Sequence, residues 1–179
     1  MRDVSITIMN NRRGAEDTGP RPAQLLDDLR AVHETILSGL DLKQEVTRSP
    51  VPTITHCSLA RWNLARARHR RRKVLNVVAA ELLRYPRPGE VEMLRRLEME
   101  ELSFSQSCSQ HVQSWTCDMI ARNWQGYTAA ALAFCEMVRH RVTREMHLLY
   151  PMLADRIDYP NQVPTALAIR HACDRRAVS

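Results

Sequence analysis

Apolar residues recur every three or four positions along four long stretches of the chain, the spacing that places them on one face of an α-helix. The first stretch follows Pro22 and predicts a helix over about 23–45, with Leu25, Leu26, Leu29, His33, Ile36, Leu37 and Leu40 on its inner face. The second predicts a helix over 58–84, with apolar positions at Leu59, Trp62, Leu75, Val78, Leu82 and Leu83. A loop rich in proline, 49–52, separates the two.

The third stretch predicts a helix from 89 or 90 to 122, marked by Val91, Leu94, Leu97, Phe104, Cys108, Val112, Trp115 and Met119. The fourth predicts a helix that begins near 127 and ends between 151 and 155, marked by Ala131, Phe134, Val138, Leu148 and Met152. The sequence shows no useful stretch of two-residue alternation, so strands are not expected. The predicted fold is all-α, an antiparallel four-helix bundle with short connections.

The prediction divides the chain into three parts. Residues 1–21 form a flexible leader, 22–156 the four-helix bundle and 157–179 a C-terminal tail, in which 165–175 could form a short extra helix. The sequence has no run of 18 apolar residues and no apolar signal core at the start. The five cysteines are odd in number and lack CxxC spacing, so reduced thiols are expected. The expectation is a cytoplasmic protein without a membrane segment.

Positive charge is concentrated in the second predicted helix. The net charge is +6, and 61–73 holds seven basic residues and no acidic one. The simpler interpretation is a helix face that is only exposed to solvent. The functional interpretation is an anion or partner patch formed by Arg66, Arg68, Arg70, Arg72 and Lys73. An unidentified protein partner or a small anion is favoured over nucleic acid, because no helix-turn-helix or aromatic stacking motif accompanies the run.

Four segments are similar to parts of one family of helical bundles. Segment 144–153, with the sequence REMHLLYPML, resembles the closing motif of hemerythrin-like domains. Segments 60–66 and 115–127 are similar to a proteobacterial branch of that family, and 29–33 resembles its first-helix L-x-x-x-H element. The resemblance covers about 24–155 and implies a hemerythrin-like four-helix bundle.

The resemblance also implies where metal ligands would lie. Such domains hold two irons between their helices with histidine and carboxylate ligands. His33 matches the ligand of the first helix, Glu145 matches the carboxylate of the fourth, and Glu101 lies near the expected level in the third. These three residues are the metal candidates. Iron, bound as a di-iron or single-metal centre, is the alternative to the preferred expectation of no cofactor.

Three positions depart from the family pattern. Arg71 and Leu75 stand where the second helix should supply histidine and glutamate, and Arg141 stands at the histidine position of the fourth helix. His140 is one residue away, so it points about 100° from that position. The resemblance therefore implies a metal site that has largely been replaced.

An ion network is the interpretation favoured for the replaced site. Arg141 and Glu145 are four residues apart on one helix face, where opposite charges neutralise each other. Arg71 or Arg72 from the second helix could join them, with Glu101 from the third. His33 is then a hydrogen-bonded core histidine rather than a metal ligand. A buried network of this kind fits a relic of a metal centre or a pocket for an acidic ligand.

The predicted function is therefore that of a non-catalytic binding or regulatory protein. The sequence lacks nucleophile-elbow, phosphate-loop and zinc-protease motifs, so an enzyme is not expected. The first alternative is a metal-containing hemerythrin-like domain that binds or senses O₂, NO or iron. The second is nucleic-acid or polyanion binding through 61–73, and a histidine phosphotransfer bundle using His69 is a further one.

Overall fold

The structure is a computed structural model that describes residues 21–51 and 54–159. This part of the chain forms five helices. They are α1 (Pro22–Thr47), α2 (Ile54–Arg84), α3 (Glu90–Ser114), α4 (Cys117–Arg122) and α5 (Trp124–Asp158). Within these ranges there is no strand, so the predicted all-α class is confirmed there. None of the helices in these ranges has the length and apolar character needed to cross a membrane.

The outer parts of the prediction fall mostly on residues that are not described. The leader, except for Arg21, and the tail beyond Tyr159, with its possible helix over 165–175, lie outside the described residues. Residues 52 and 53 of the first loop do so as well.

The first helix begins where the sequence predicted, because Pro22 occupies the first turn, where its missing N–H costs no hydrogen bond. The α2–α3 connection also follows its sequence. Gly89 adopts a φ of 83°, a conformation that favours glycine, immediately before α3. Arg156 from α5 closes this turn by donating to the carbonyl oxygens of Leu82 and Tyr85 and to the Glu90 carboxylate.

The third predicted helix is wrong at its C-terminal end. It stops at Ser114, and a separate short helix, α4, begins at Cys117. The Thr116 hydroxyl accepts from the Met119 backbone N–H at 3.3 Å, which caps the new helix. Asn123 caps α5 in the same way, accepting from Gly126 N–H at 2.9 Å. The Thr116 bond to the backbone thus marks a break in a segment that periodicity predicts as continuous.

The fourth predicted helix, α5, extends further than expected. It continues through Pro151 to Asp158 instead of ending between 151 and 155. Pro151 removes one backbone donor, yet Leu149, Met152 and Leu153 on either side of it are buried in one apolar cluster. Their packing holds the last turns of the helix in place.

The predicted inner face of α2 is wrong in part. Leu59, Trp62 and Leu83 are exposed, at 53%, 63% and 46%. The buried face is instead formed by Cys57, Ala60, Leu64, Ala67, Arg71, Val78 and Leu82. Small residues on this face allow close packing against α1, and Leu64 and Ala67 contact the cluster that contains Ile36 and Leu40. Two apolar marks of the third predicted helix, Val112 and Met119, are also exposed.

Three apolar clusters follow one another along the helices. The first joins the start of α1 and α3 to the ends of α2 and α5, and the second occupies the middle. The third lies around Cys57, Ile120, Tyr127 and Ala131. Buried polar residues separate them: His33, Arg71 and Glu145 lie between the first two clusters along their helices, and Lys43 follows the second along α1. These two buried polar layers are the candidate functional sites.

Candidate functional site

Glu145 of α5 is the centre of the first polar layer. Its side chain is fully buried, between Val142 and Leu149 along the helix. Its two carboxylate oxygens accept hydrogen bonds from three side chains, those of Arg71, Arg141 and His33. A buried carboxylate needs this number of donors to offset the loss of its hydration.

Arg71 of α2 joins two carboxylates. Its Nε donates to Glu145 Oε2 at 2.8 Å, and its Nη2 donates to Glu145 Oε1, so the pair is bidentate. Its Nη1 and Nη2 also donate to Glu101 of α3, at 3.3 and 2.7 Å. The guanidinium lies 5.3 Å from the centre of the Phe104 ring. Arg71 therefore lies between α3 and α5 as the bridging cation.

Arg141 extends the network towards the surface. Its Nε donates to Glu145 Oε1 at 2.6 Å, its Nη1 to Glu100 Oε2 at 2.9 Å and its Nη2 to the Leu97 carbonyl oxygen at 2.9 Å. Arg144 pairs with the other oxygen of Glu100 at 2.7 Å. Three arginines thus face three glutamates, and their formal charges cancel.

His33 of α1 closes the fourth side. Its Nε2 lies 3.1 Å from Glu145 Oε2, and its Nδ1 lies 3.0 Å from the Tyr150 hydroxyl. Because an ionised carboxylate only accepts, Nε2 carries the proton and donates to Glu145. In that tautomer Nδ1 accepts from the Tyr150 hydroxyl.

The network determines the ionisation of its members. Burial alone would raise the pKa of Glu145, but the hydrogen bonds from Arg71 and His33 and the two guanidinium charges lower it to about 2. Burial would lower the pKa of Arg71, and its bonds to Glu145 and Glu101 raise it above the ordinary value instead. The charged forms are therefore favoured on both sides.

The structure brings together every residue that sequence reasoning named for this centre: His33, Arg71, Glu101, Arg141 and Glu145. The donor set does not fit the di-iron site that the resemblance implies, because Arg71 and Arg141 are both already paired with the two carboxylates, Glu101 and Glu145. A dication there would be repelled by two guanidinium charges. In the described part of the chain no three His, Cys, Asp or Glu residues are grouped as metal ligands.

The basic patch of the second predicted helix is divided between different faces. Arg66, Arg70 and Lys73 follow one another at spacings of four and three and are all exposed. Arg68 is half-buried, with its guanidinium 5.3 Å from the Phe104 ring centre. Arg72 lines a cavity between α2, α3 and α5. The five residues predicted as one patch therefore do not share one surface.

The second polar layer was missed by sequence reasoning. Lys43 of α1 is 2% exposed, and its Nζ lies 3.1 Å from His111 Nε2 and 4.2 Å from the Phe134 ring centre. Burial lowers the pKa of Lys43 to about 8, and burial together with Lys43 lowers the pKa of His111 to about 4. His111 is half-buried and stacks on Phe134 at 4.3 Å. The signal was present in the sequence, since Lys43 lies three residues after Leu40 on the apolar stripe.

Known proteins do not identify the chain: no protein family, no curated protein and no solved structure matches it.

Proposed function

We propose that this chain is a non-catalytic binding or regulatory protein, built as a hemerythrin-like antiparallel four-helix bundle of α1, α2, α3 and α5. In this proposal the position of the family's metal is filled by an ion network. The single observation that carries it is the position of Arg71. It stands where the resemblance implies a histidine ligand, and its guanidinium bridges Glu101 and Glu145. A fixed organic cation here takes the electrostatic place of a metal ion.

The state of Glu145 supports a non-catalytic role. A general base works best with a pKa near the operating pH, whereas the pKa of Glu145 is about 2. Both its oxygens are also bound by donors within the protein. A buried network of this kind stabilises less than apolar packing of similar volume, so we attribute to it a role in fixing how the helices are arranged.

Metal analysis tests this proposal. The full chain, purified without chelators from iron-supplemented cells, should contain substoichiometric metal and show no oxo-bridged iron absorption. Two irons per chain, as the family binds, would refute the proposal and favour a domain that binds or senses O₂, NO or iron. In that case Glu145→Gln should release the metal, whereas Glu92→Gln, at an exposed position of α3, should leave it bound.

A second candidate function rests on the outer face of α2. Arg66, Arg70 and Lys73 are exposed, and none of them has a hydrogen bond or ion pair among the described residues. Exposed Trp62 precedes them on the same face. Three unneutralised cations in a row attract polyanions, so we propose an acidic protein as the partner, with nucleic acid as the alternative.

A further inference from the structure

A cavity of about 610 Å³ lies between α2, α3 and α5, beside the ion network. Its volume is within the range of small-molecule sites, about 300–1,000 Å³. Glu101, Arg141 and Glu145 of the network are among its lining residues. The apolar part of the wall includes Leu75, Ala79, Leu94, Leu97, Leu102 and Leu149. Two leucines of this lining, Leu83 and Leu102, are 46% and 60% exposed.

The wall indicates the body of the ligand. The cavity is lined by leucine, alanine and valine, with no aromatic ring among its lining residues. Such a wall has no flat surface on which a ring would stack, and it suits a flexible aliphatic chain. Burying such a chain would remove its methylene groups and the exposed face of Leu102 from water.

The exposed polar residues indicate the head of the ligand. Arg72 from α2 and Arg95 from α3 both line the cavity and are exposed. Neither has a hydrogen bond or ion pair within the described part of the chain. Glu98 is the one exposed acidic residue of the lining, so these exposed side chains carry one net positive charge. The acids deeper in the cavity, Glu101 and Glu145, are already neutralised by Arg71 and Arg141.

We propose that this cavity binds a medium-chain aliphatic carboxylate, with the chain against the leucine wall and the carboxylate between Arg72 and Arg95. This goes beyond the proposed function, because the cavity would take such a ligand whether or not the network replaced a metal. Arginine binds carboxylates well, since its fork of donors matches their two oxygens.

Calorimetric titration of the full chain tests the proposal with three probes of nearly equal alkyl length and different head groups: decanoate, decan-1-ol and decyltrimethylammonium. Decanoate should bind most tightly and the cationic probe least. Arg72→Gln with Arg95→Gln should weaken decanoate binding by about tenfold or more and leave decan-1-ol unchanged. The matched control, Arg48→Gln with Arg122→Gln, removes the same charge from exposed positions that do not line the cavity and should change neither.

Filling the cavity tests its position. Ala79→Trp should abolish binding of both decanoate and decan-1-ol. If Ala79→Trp does not fold, the smaller change Ala79→Leu should weaken both probes by a similar factor. Failure of decanoate to bind the wild type, equal binding of the anionic and cationic probes, or full binding by a folded Ala79 variant would each overturn the proposal. The metal content of the purified protein tests the proposed function, and it does not depend on the outcome of these titrations.

Discussion

Replacing Glu145 by glutamine should destabilise the protein strongly at neutral pH. The change keeps the size of the side chain but removes the negative charge that Arg71 and Arg141 share. Arg71 then keeps only its pair with Glu101, and Arg141 keeps its pairs with Glu100 and Glu101. Buried cations that lose a partner cannot recover their hydration, so the folded state carries the cost.

The size of the effect follows from ionisation. The pKa of Glu145 falls from 4.5 in the unfolded chain to about 2 in the folded protein. At neutral pH this difference corresponds to about 3 kcal/mol of stability. Removing one partner of a buried ion pair typically costs roughly 3–5 kcal/mol, which agrees. Because the folded pKa is the lower one, the stabilisation is complete above pH 4.5 and is lost as the pH falls towards 2.

Urea unfolding followed by circular dichroism measures the effect. Glu145→Gln should lower the free energy of unfolding by about 3 kcal/mol at pH 7, and the gap from wild type should close as the pH falls from 4.5 towards 2. Glu92→Gln breaks a pair that is 59% exposed on the glutamate side and should cost less than about 0.5 kcal/mol. The double change Arg71→Met, Glu145→Leu should recover much of the loss.

Two results would refute this reasoning. A change of less than about 0.5 kcal/mol for Glu145→Gln would mean that the carboxylate is solvated and the network carries little energy. A large loss that did not vary with pH would place its origin in packing rather than in the charge of Glu145.

Three further predictions concern other parts of the protein. Lys43→Met should raise the free energy of unfolding at pH 7 by up to about 3 kcal/mol, because burial lowers the pKa of Lys43 from 10.5 to about 8. Between pH 8 and 10.5 Lys43 is protonated in the unfolded chain but not in the folded protein, so the free energy of unfolding of the wild type should rise with pH across this window. A free energy of unfolding that stayed constant there would contradict the lowered pKa of Lys43. Heparin affinity at low salt should fall, with little change in melting temperature, when glutamine replaces Arg66, Arg70 and Lys73. Replacing three exposed arginines elsewhere by glutamine, Arg30, Arg48 and Arg96, should lower heparin affinity less. An equal loss would show that the attraction to heparin is nonspecific. Alkylation mapped by mass spectrometry should modify exposed Cys117 in the folded protein. Burial raises the pKa of three other thiols, those of Cys57, Cys108 and Cys135, which should react only after unfolding. Labelling of these thiols in the folded protein would show that they are accessible.

The sequence by itself determined the features that depend on nearby residues. Apolar periodicity gave the all-α class, and proline and glycine marked the start of α1 and the α2–α3 connection. The Arg141–Glu145 pair follows from a spacing of four on one helix. Arg71 and Glu101 were named as members of the same network because the family resemblance supplied a register between helices. Lys43 could have been named from its place on the stripe of α1.

Only the tertiary structure decided which face of each helix is buried and how distant side chains meet. In α2 the larger residues Leu59 and Trp62 gave a false inner face, because close packing against α1 favours the smaller Ala60 and Ala67. The Thr116 capping bond marks the break in the third predicted helix, and apolar packing carried α5 past Pro151. The bidentate contact between Arg71 and Glu145 joins residues 74 positions apart. Periodicity fixes the angle of a side chain around its own helix, whereas such contacts depend on the distance and rotation between helices, which packing of the whole core sets.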